Sequence, residues 1–277
     1  MADQEPENTG PAAIPNDDPV PAWQKSIPTI HRLDHSQAQR VVWALQEVHD
    51  HNGLKFDVKR YPRMVPKNED LLKVSPMGKS PILTVDDLEG KPVPGVQLVD
   101  GVLMETRLIL EYISEAYGGK ELWEPDTDAE KRRDIYFREF ACNSLLERVD
   151  QPLVIEVIPE IMPFPISWIL KAIFGPVITA LRGFQIEHYN HMEANLTDDT
   201  PYFAGKKVGI ADMCMEFPVS IALGRKMLDP VKYPKIKAWH DKITGREAWK
   251  AALEKGGGPT KYDLVYFGMK DQKFKLK

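Results

Sequence analysis

Cysteine is scarce. Cys142 and Cys214 are the only two in 277 residues. Two thiols build no disulfide framework, and neither sits in a Cys-x-x-Cys or Cys/His spacing suited to a metal. The expectation is a metal-free protein of a reducing, cytoplasmic compartment. Clustered positive charge is also missing. Lys and Arg number 36 against 41 Asp and Glu, for a net charge of −5, so nothing argues for a nucleic-acid partner. The basic C-terminal KDQKFKLK reads as a solvated tail. The N-terminus has no apolar core of the kind a signal peptide needs. Residues 1–26 hold five prolines and five acids, which reads as a disordered leader. Long apolar runs are nearly absent. The one exception, IMPFPISWILKAIFGPVITAL (residues 161–181), carries a single charge, Lys171. It is about long enough to span a bilayer. Pro163, Pro165, Gly175, Pro176 and the central lysine argue instead for a buried helix pair or the wall of an apolar pocket. Membrane contact is then peripheral at most, and Trp168 is expected in the core.

What is present alternates in type and then changes. IPTIHRL (27–33) reads as a strand. QAQRVVWALQEVHDHNG places Val41, Leu45 and Val48 on one helical face, with Gly53 as C-cap. LKFDVKRY is a strand, NEDLLKV a short helix, PILTVDD a strand, GVQLVDG a further strand and METRLILEYISEAYGG a helix. From Asp128 onward every periodic stretch is helical. The fold class is therefore α/β followed by all-α. A β-α-β-α-β-β-α unit with a mixed four-stranded sheet, the thioredoxin-like order, covers residues 27–119. A helical bundle covers 128–257, and a tail covers 258–277.

Four short features carry candidate chemistry, each with a plainer alternative. Pro81 stands at the mouth of a strand, where proline is confined because it cannot donate to the ladder. It is either punctuation or, as in thioredoxin-like folds, a cis proline that exposes the Ser80 backbone to an extended peptide. Ser36 lies between a strand end and a helix start. It is either a helix cap or a hydroxyl aimed at an anion at the positive helix end. Glu105 and Thr106 open a helix; they either cap it or grip the ammonium and carboxylate of an α-amino acid. Lys79 is either solvated or paired with a second carboxylate. In the thioredoxin-like order all four fall at one end of the sheet. They outline a groove for a small peptide with a thiol in its middle and a carboxylate at each end, which is glutathione.

At that point the chain resembles a glutathione transferase of fungal, serine-using type, near the theta and phi classes. The resemblance rests on LDHSQAQRVVWALQEV, VSPMGKSPILTVDD, GVLMETRLILEYI, PYFAGKKVGIADMCMEFP and YPKIKAWHDKITGREAWKAALEKGG. It implies that Ser36 hydrogen-bonds the glutathione sulfur as the catalytic residue. Ser80, at the cis Pro81, pairs with the cysteinyl backbone. Lys79 lies near the glycine carboxylate, and Glu105 and Thr106 hold the γ-glutamyl end. It implies a homodimer that joins glutathione to an apolar electrophile, in detoxification or biosynthesis, with a peroxidase variant. A non-catalytic binding protein of the same fold is the alternative. Two departures stand out. Thr106 occupies a position where serine is usual. The helical domain's Ser/Thr-x-x-Asp capping box reads Gly209-Ile-Ala-Asp212, without the hydroxyl. No cysteine lies near Ser36, which disfavours omega-like or glutaredoxin chemistry there. The stretch CNSLLERVDQPL and residues 161–181 are expected near the second, apolar substrate.

Overall fold

The computed structural model describes residues 12–14, 19–63 and 68–262, the first three by backbone alone. Three expected strands form where they were placed, β2 (Ser26–Leu33), β3 (Asp57–Tyr61) and β4 (Ile82–Asp87), and a fourth, β5 (Val102–Met104), forms just beyond its expected place. A fifth, β1 (Ala12–Ile14), pairs antiparallel with the edge strand β3, so the sheet order is β1-β3-β2-β4-β5. Part of the expected disordered leader is thus structured. Residues 19–25 are tied down as well. The Gln24 carboxamide donates to the Ser26 and Lys55 carbonyls and accepts from the Lys55 N–H, and Trp23 Nε1 donates to Asn52 O. Those bonds outweigh the polar, proline-rich composition.

β2 and β3 run parallel, while β2–β4 and β4–β5 run antiparallel. β2 is buried from Pro28 to Arg32, as a central strand covered on both faces should be. Helices α1 (Gln39–Asn52), α2 (Glu69–Val74), α3 (Thr106–Ala116) and α4 (Gly119–Trp123) complete the first unit. Gly53 ends α1 at φ 78°, its N–H donating to His49 O. The strand expected in GVQLVDG does not form. Gly95 and Gly101 take left-handed φ, and Asp100 caps the turn by accepting from Gly95 N–H at 2.9 Å. The chain straightens only at Val102. The Gln97 side chain then mimics a neighbouring strand, donating to Met104 O and accepting from Met104 N–H.

The second unit is helical: α5 (Asp128–Glu139), a π-helical segment at Phe140–Leu145, α6 (Leu146–Ile161), α7 (Ile166–Gly183), α8 (Ile186–Asn195), α9 (Ile210–Gly224), α10 (Pro234–Thr244) and α11 (Glu247–Lys255). α1 lies between the sheet and α9 and α11, so Val41, Val42, Leu45 and Val48 are all fully buried. One apolar core therefore runs through both units.

Residues 161–181 are not a buried helix pair. α7 packs on α6, yet none of its residues is fully buried, and Trp168, expected in the core, is 69 % exposed. Leu170, Phe174, Ile178 and Leu181 are half-buried at helical spacing, while Ile166, Ile169, Ile173 and Val177 are exposed. α7 is apolar around most of its circumference, and α6 covers only one side. Among the described residues, 166–195 is the one stretch long and apolar enough to cross a membrane.

Candidate active site

Strand register decides where the candidate residues meet. His31 pairs with Ile82, and Ile82 pairs with Met104. The end of β2, the start of β4 and the end of β5 are therefore at one edge. Each strand exits or enters there directly beside a candidate: β2 leads to Ser36, β4 follows Ser80-Pro81, and β5 delivers Glu105-Thr106. The geometry expected from element order alone is present.

Ser80-Pro81 is a cis peptide. The Ser80 hydroxyl donates to His31 O at 2.9 Å and accepts from Leu33 N–H at 3.0 Å, so the loop is stitched to the last turn of β2's ladder. Among the described residues the Ser80 main chain takes no backbone partner. It is left open for strand-like pairing. Ser36 Oγ lies 3.4 Å from Ser80 Oγ and accepts from Ala38 N–H at 3.2 Å. Ser36 is therefore not the cap of α1, which starts from Ala38. It lies two residues earlier, with its oxygen satisfied by an amide and its own proton committed only to a long contact.

Glu105 is exposed and has φ 69°. A glutamate in this region costs on the order of 1–3 kcal/mol, a cost found mainly at functional sites. Its carbonyl accepts from Ile109 N–H and begins α3. Thr106 is buried, and its Oγ1 makes no hydrogen bond. The capping reading of Thr106 thus fails, since a cap hydroxyl would be bonded to its own helix. Lys79 is exposed, and among the described residues its side chain makes no hydrogen bond or ion pair.

The loop that carries Ser36 is braced from behind by residues the sequence reading did not single out. Arg32 and Arg60 both donate to Asp34 Oδ1, at 3.1 and 3.2 Å. Arg63 donates to the carbonyls of Asp34 and His35 at 3.1 Å. Arg32 also donates to Gly256 O, which ties the loop to the end of α11. Burial lowers the Arg32 pKa to about 10. Beneath them, His31 bridges Tyr61 Oη at 2.7 Å and Thr84 Oγ1 at 3.0 Å, and burial holds its pKa down at about 4. The one signal for these groups was three arginines and a histidine in or beside β-strands, where charge is unusual.

Two family descriptions match the chain: the glutathione S-transferase N-terminal domain over residues 36–116 and its C-terminal domain over residues 185–247. Glutathione S-transferase 1 of Saccharomyces cerevisiae is 30 % identical over 242 residues, 83 % of this chain and 96 % of the yeast protein. A glutathione S-transferase structure from Actinobacillus pleuropneumoniae superposes with a TM-score of 0.63 at 21 % identity, over 86 % of this chain and 96 % of its own. A sphingomonad glutathione S-transferase, solved in complex with glutathione, does so with 0.57 at 22 %, over 83 % and 98 %. The fold and the site edge define a thioredoxin-like domain joined to a helical one, open for a peptide at the cis proline. The chain belongs to the glutathione S-transferase family, and to its enzymes.

Proposed function

We propose that the chain binds glutathione along this edge and conjugates its thiolate to an apolar electrophile. The carrying observation is the convergence, through strand register, of the Ser36 hydroxyl, the open Ser80 main chain and the unbonded, buried Thr106 hydroxyl. In this reading the cysteinyl backbone pairs with Ser80 beside Pro81, the γ-glutamyl carboxylate takes the Thr106 hydroxyl and Glu105 takes its ammonium. Lys79 meets the glycine carboxylate, and Ser36 donates to the sulfur. A free thiol has a pKa of about 8.5, so two units of lowering need about 2.7 kcal/mol of preference for the thiolate. One hydrogen bond to an anion together with a nearby helix N-terminus reaches that order. The thiolate then attacks the electrophilic carbon.

For the second substrate, a cleft of about 770 Å³ opens between α6 and α7, lined by Leu146, Val154, Ile155, Val177 and Leu181 among others. Cys142 lies in its wall. Its apolar lining supports an apolar electrophile and a role in detoxification. Exposed Leu108 on α3 and Ile135 on α5 support a homodimer, and two free thiols support a cytoplasmic setting.

Steady-state conjugation of a generic electrophile tests the assignment. Ser36→Ala should lower kcat by more than tenfold, on the order of one charge-assisted hydrogen bond, and leave KM for glutathione nearly unchanged. Unchanged turnover would remove Ser36 from the chemistry.

A further inference from the structure

α7 is apolar on the side that no helix covers. It packs on α6, and its outer side presents Trp168, Ile169, Ile173 and Val177. Exposed Phe164 continues the patch just before the helix begins. A contiguous apolar face of this kind on a folded chain marks an interaction surface. Charge is arranged along one flank of it. α7 holds two charged residues, Lys171 and Arg182. Arg182 is paired with Glu156 of α6 at 2.7 Å, and Arg225, at the end of α9, is paired with Glu156 and Glu160. These groups line a cleft of about 550 Å³ together with Lys171 and Lys226. Both lysines are exposed, and among the described residues neither side chain makes a hydrogen bond or ion pair. Two glutamates against four cations leave this flank at +2, in a chain whose net charge is −5.

We propose that the outer face of α7 docks on an anionic lipid bilayer, with the helix lying in the headgroup plane and Lys171 and Lys226 meeting the negative headgroups. An interfacial helix joins an apolar face that carries Trp and Phe to lysines at its border, and α7 has both. The helix lies on the bilayer and does not cross it. The stretch of membrane-spanning length, 166–195, is broken at Phe184 between α7 and α8. Its second half is anchored in the core through buried Gln185, Tyr189 and Met192, and Gln185 donates to Arg148 O at 2.9 Å. α7 itself is tied to α6 by the Arg182–Glu156 pair, and α6 is fixed by buried Val149, Leu153 and Val157. A second copy of the chain fits this surface less well. A two-fold interface sets a patch against itself, so it brings one positive flank toward another. An anionic bilayer supplies what the flank lacks, negative charge beside hydrocarbon. Val177 belongs both to this face and to the wall of the cleft between α6 and α7, so the bilayer lies at the edge of that cleft. The docking surface is separate from Ser36 and stands whether or not the conjugation reading does.

Sedimentation of the full-length protein with two kinds of vesicle, phosphatidylcholine alone and equimolar phosphatidylcholine and phosphatidylserine, tests this. Wild type should pellet with the mixed vesicles and less with phosphatidylcholine alone. Lys171→Gln and Lys226→Gln should each weaken binding to the mixed vesicles about fivefold, the share of one lysine at an anionic surface. Raised salt should remove the same part of the binding. The double variant Trp168→Ser, Ile173→Ser changes two exposed side chains and should weaken binding to both compositions by at least about tenfold, since it removes the apolar contact. Alkaline carbonate should release the bound protein. The proposal is overturned if wild type stays in the supernatant with the mixed vesicles, or if the serine pair leaves binding intact. Protein that resists carbonate would also overturn it, by showing a helix that crosses the bilayer. A wild type that ignores vesicles, and whose self-association in equilibrium sedimentation the serine pair abolishes, would give the face to a second copy instead. Circular dichroism of each variant separates a lost fold from a lost surface.

Discussion

Thr106 separates two accounts of the same helix start. Its Oγ1 is buried without a partner, an arrangement that costs stability in the free protein. Thr106→Val, similar in shape, removes that cost. It should leave the thermal midpoint unchanged or higher. If the hydroxyl is there for a carboxylate, the same substitution should raise KM for glutathione about ten- to a hundredfold, the equivalent of one hydrogen bond to a charged group, with little change in kcat. A stability loss without a KM change would return Thr106 to a structural role. The contrast with Ser36 is in where the proton goes. Ser36 Oγ has an amide donor and a proton with only a long contact, so its removal falls on the charge that develops at sulfur, not on binding. The sequence showed both hydroxyls and the strands that aim them. It did not show which proton was spare, because that depends on Ala38 N–H and Ser80 Oγ, which become neighbours only after β2 and β4 pair.

At the level of elements, α9 shows how a missing family residue is replaced. Gly209 stands where a Ser or Thr hydroxyl is usual. Half of the box survives: Asp212 Oδ2 accepts from Gly209 N–H at 2.9 Å. The missing acceptor comes from another helix. Asp134 of α5 reaches across, and its Oδ1 accepts from Ala211 N–H at 2.9 Å. The approach is close enough that a Cβ on Gly209 would lie 2.6 Å from Ala204 Cβ and 3.1 Å from Asp134 Oδ1. Gly209→Ser, which restores the family's hydroxyl, should therefore destabilise the protein by about 1–3 kcal/mol through overpacking, read as a lower urea midpoint. Stabilisation would mean that Asp134 is a poor substitute for a cap. The departure was visible in the sequence; its compensation was not, because Asp134 and Ala211 are separated by a whole helical hairpin. The same limit applies elsewhere. Periodicity found α1, α3 and the helical unit. It misplaced β5, because left-handed Gly95 and Gly101 end the extended run, and it sent Trp168 inward, because an apolar stretch does not say which of its sides has a neighbour.

The molecule as a whole is held across its two units by α1. Arg246, at the start of α11, donates through two nitrogens to the Glu47 carboxylate, and Arg40 donates to Cys214 O. With one core through both units, local proton binding is felt as global stability. A buried polar cluster on α9 and α10 makes this measurable. Ser220 Oγ lies 2.7 Å from Glu216 Oε1 and 2.8 Å from His240 Nε2, so one hydroxyl joins the acid of α9 to the imidazole of α10. Burial pushes Glu216 up to about 7 and His240 down to about 4. The two act in opposite directions. For Glu216, ordinarily 4.5, the folded protein keeps a proton that the unfolded chain loses between pH 4.5 and 7. Its contribution is full below 4.5 and drains away as pH rises to 7. For His240, ordinarily 6.5, the unfolded chain binds a proton that the fold refuses, so stability grows as pH rises from 4 to 6.5. Over the shared interval they offset each other. Glu216→Gln removes the falling component and leaves the rising one. Urea unfolding of wild type and variant across pH 4.5 to 7 should show the variant gaining on wild type by up to about 1.4 kcal/mol per pH unit, the linkage of one proton. The difference should level off above 7, where Glu216 is ionised in both states. A difference that stays constant with pH would mean Glu216 ionises alike folded and unfolded, and the opposition between α9's acid and α10's histidine would not exist.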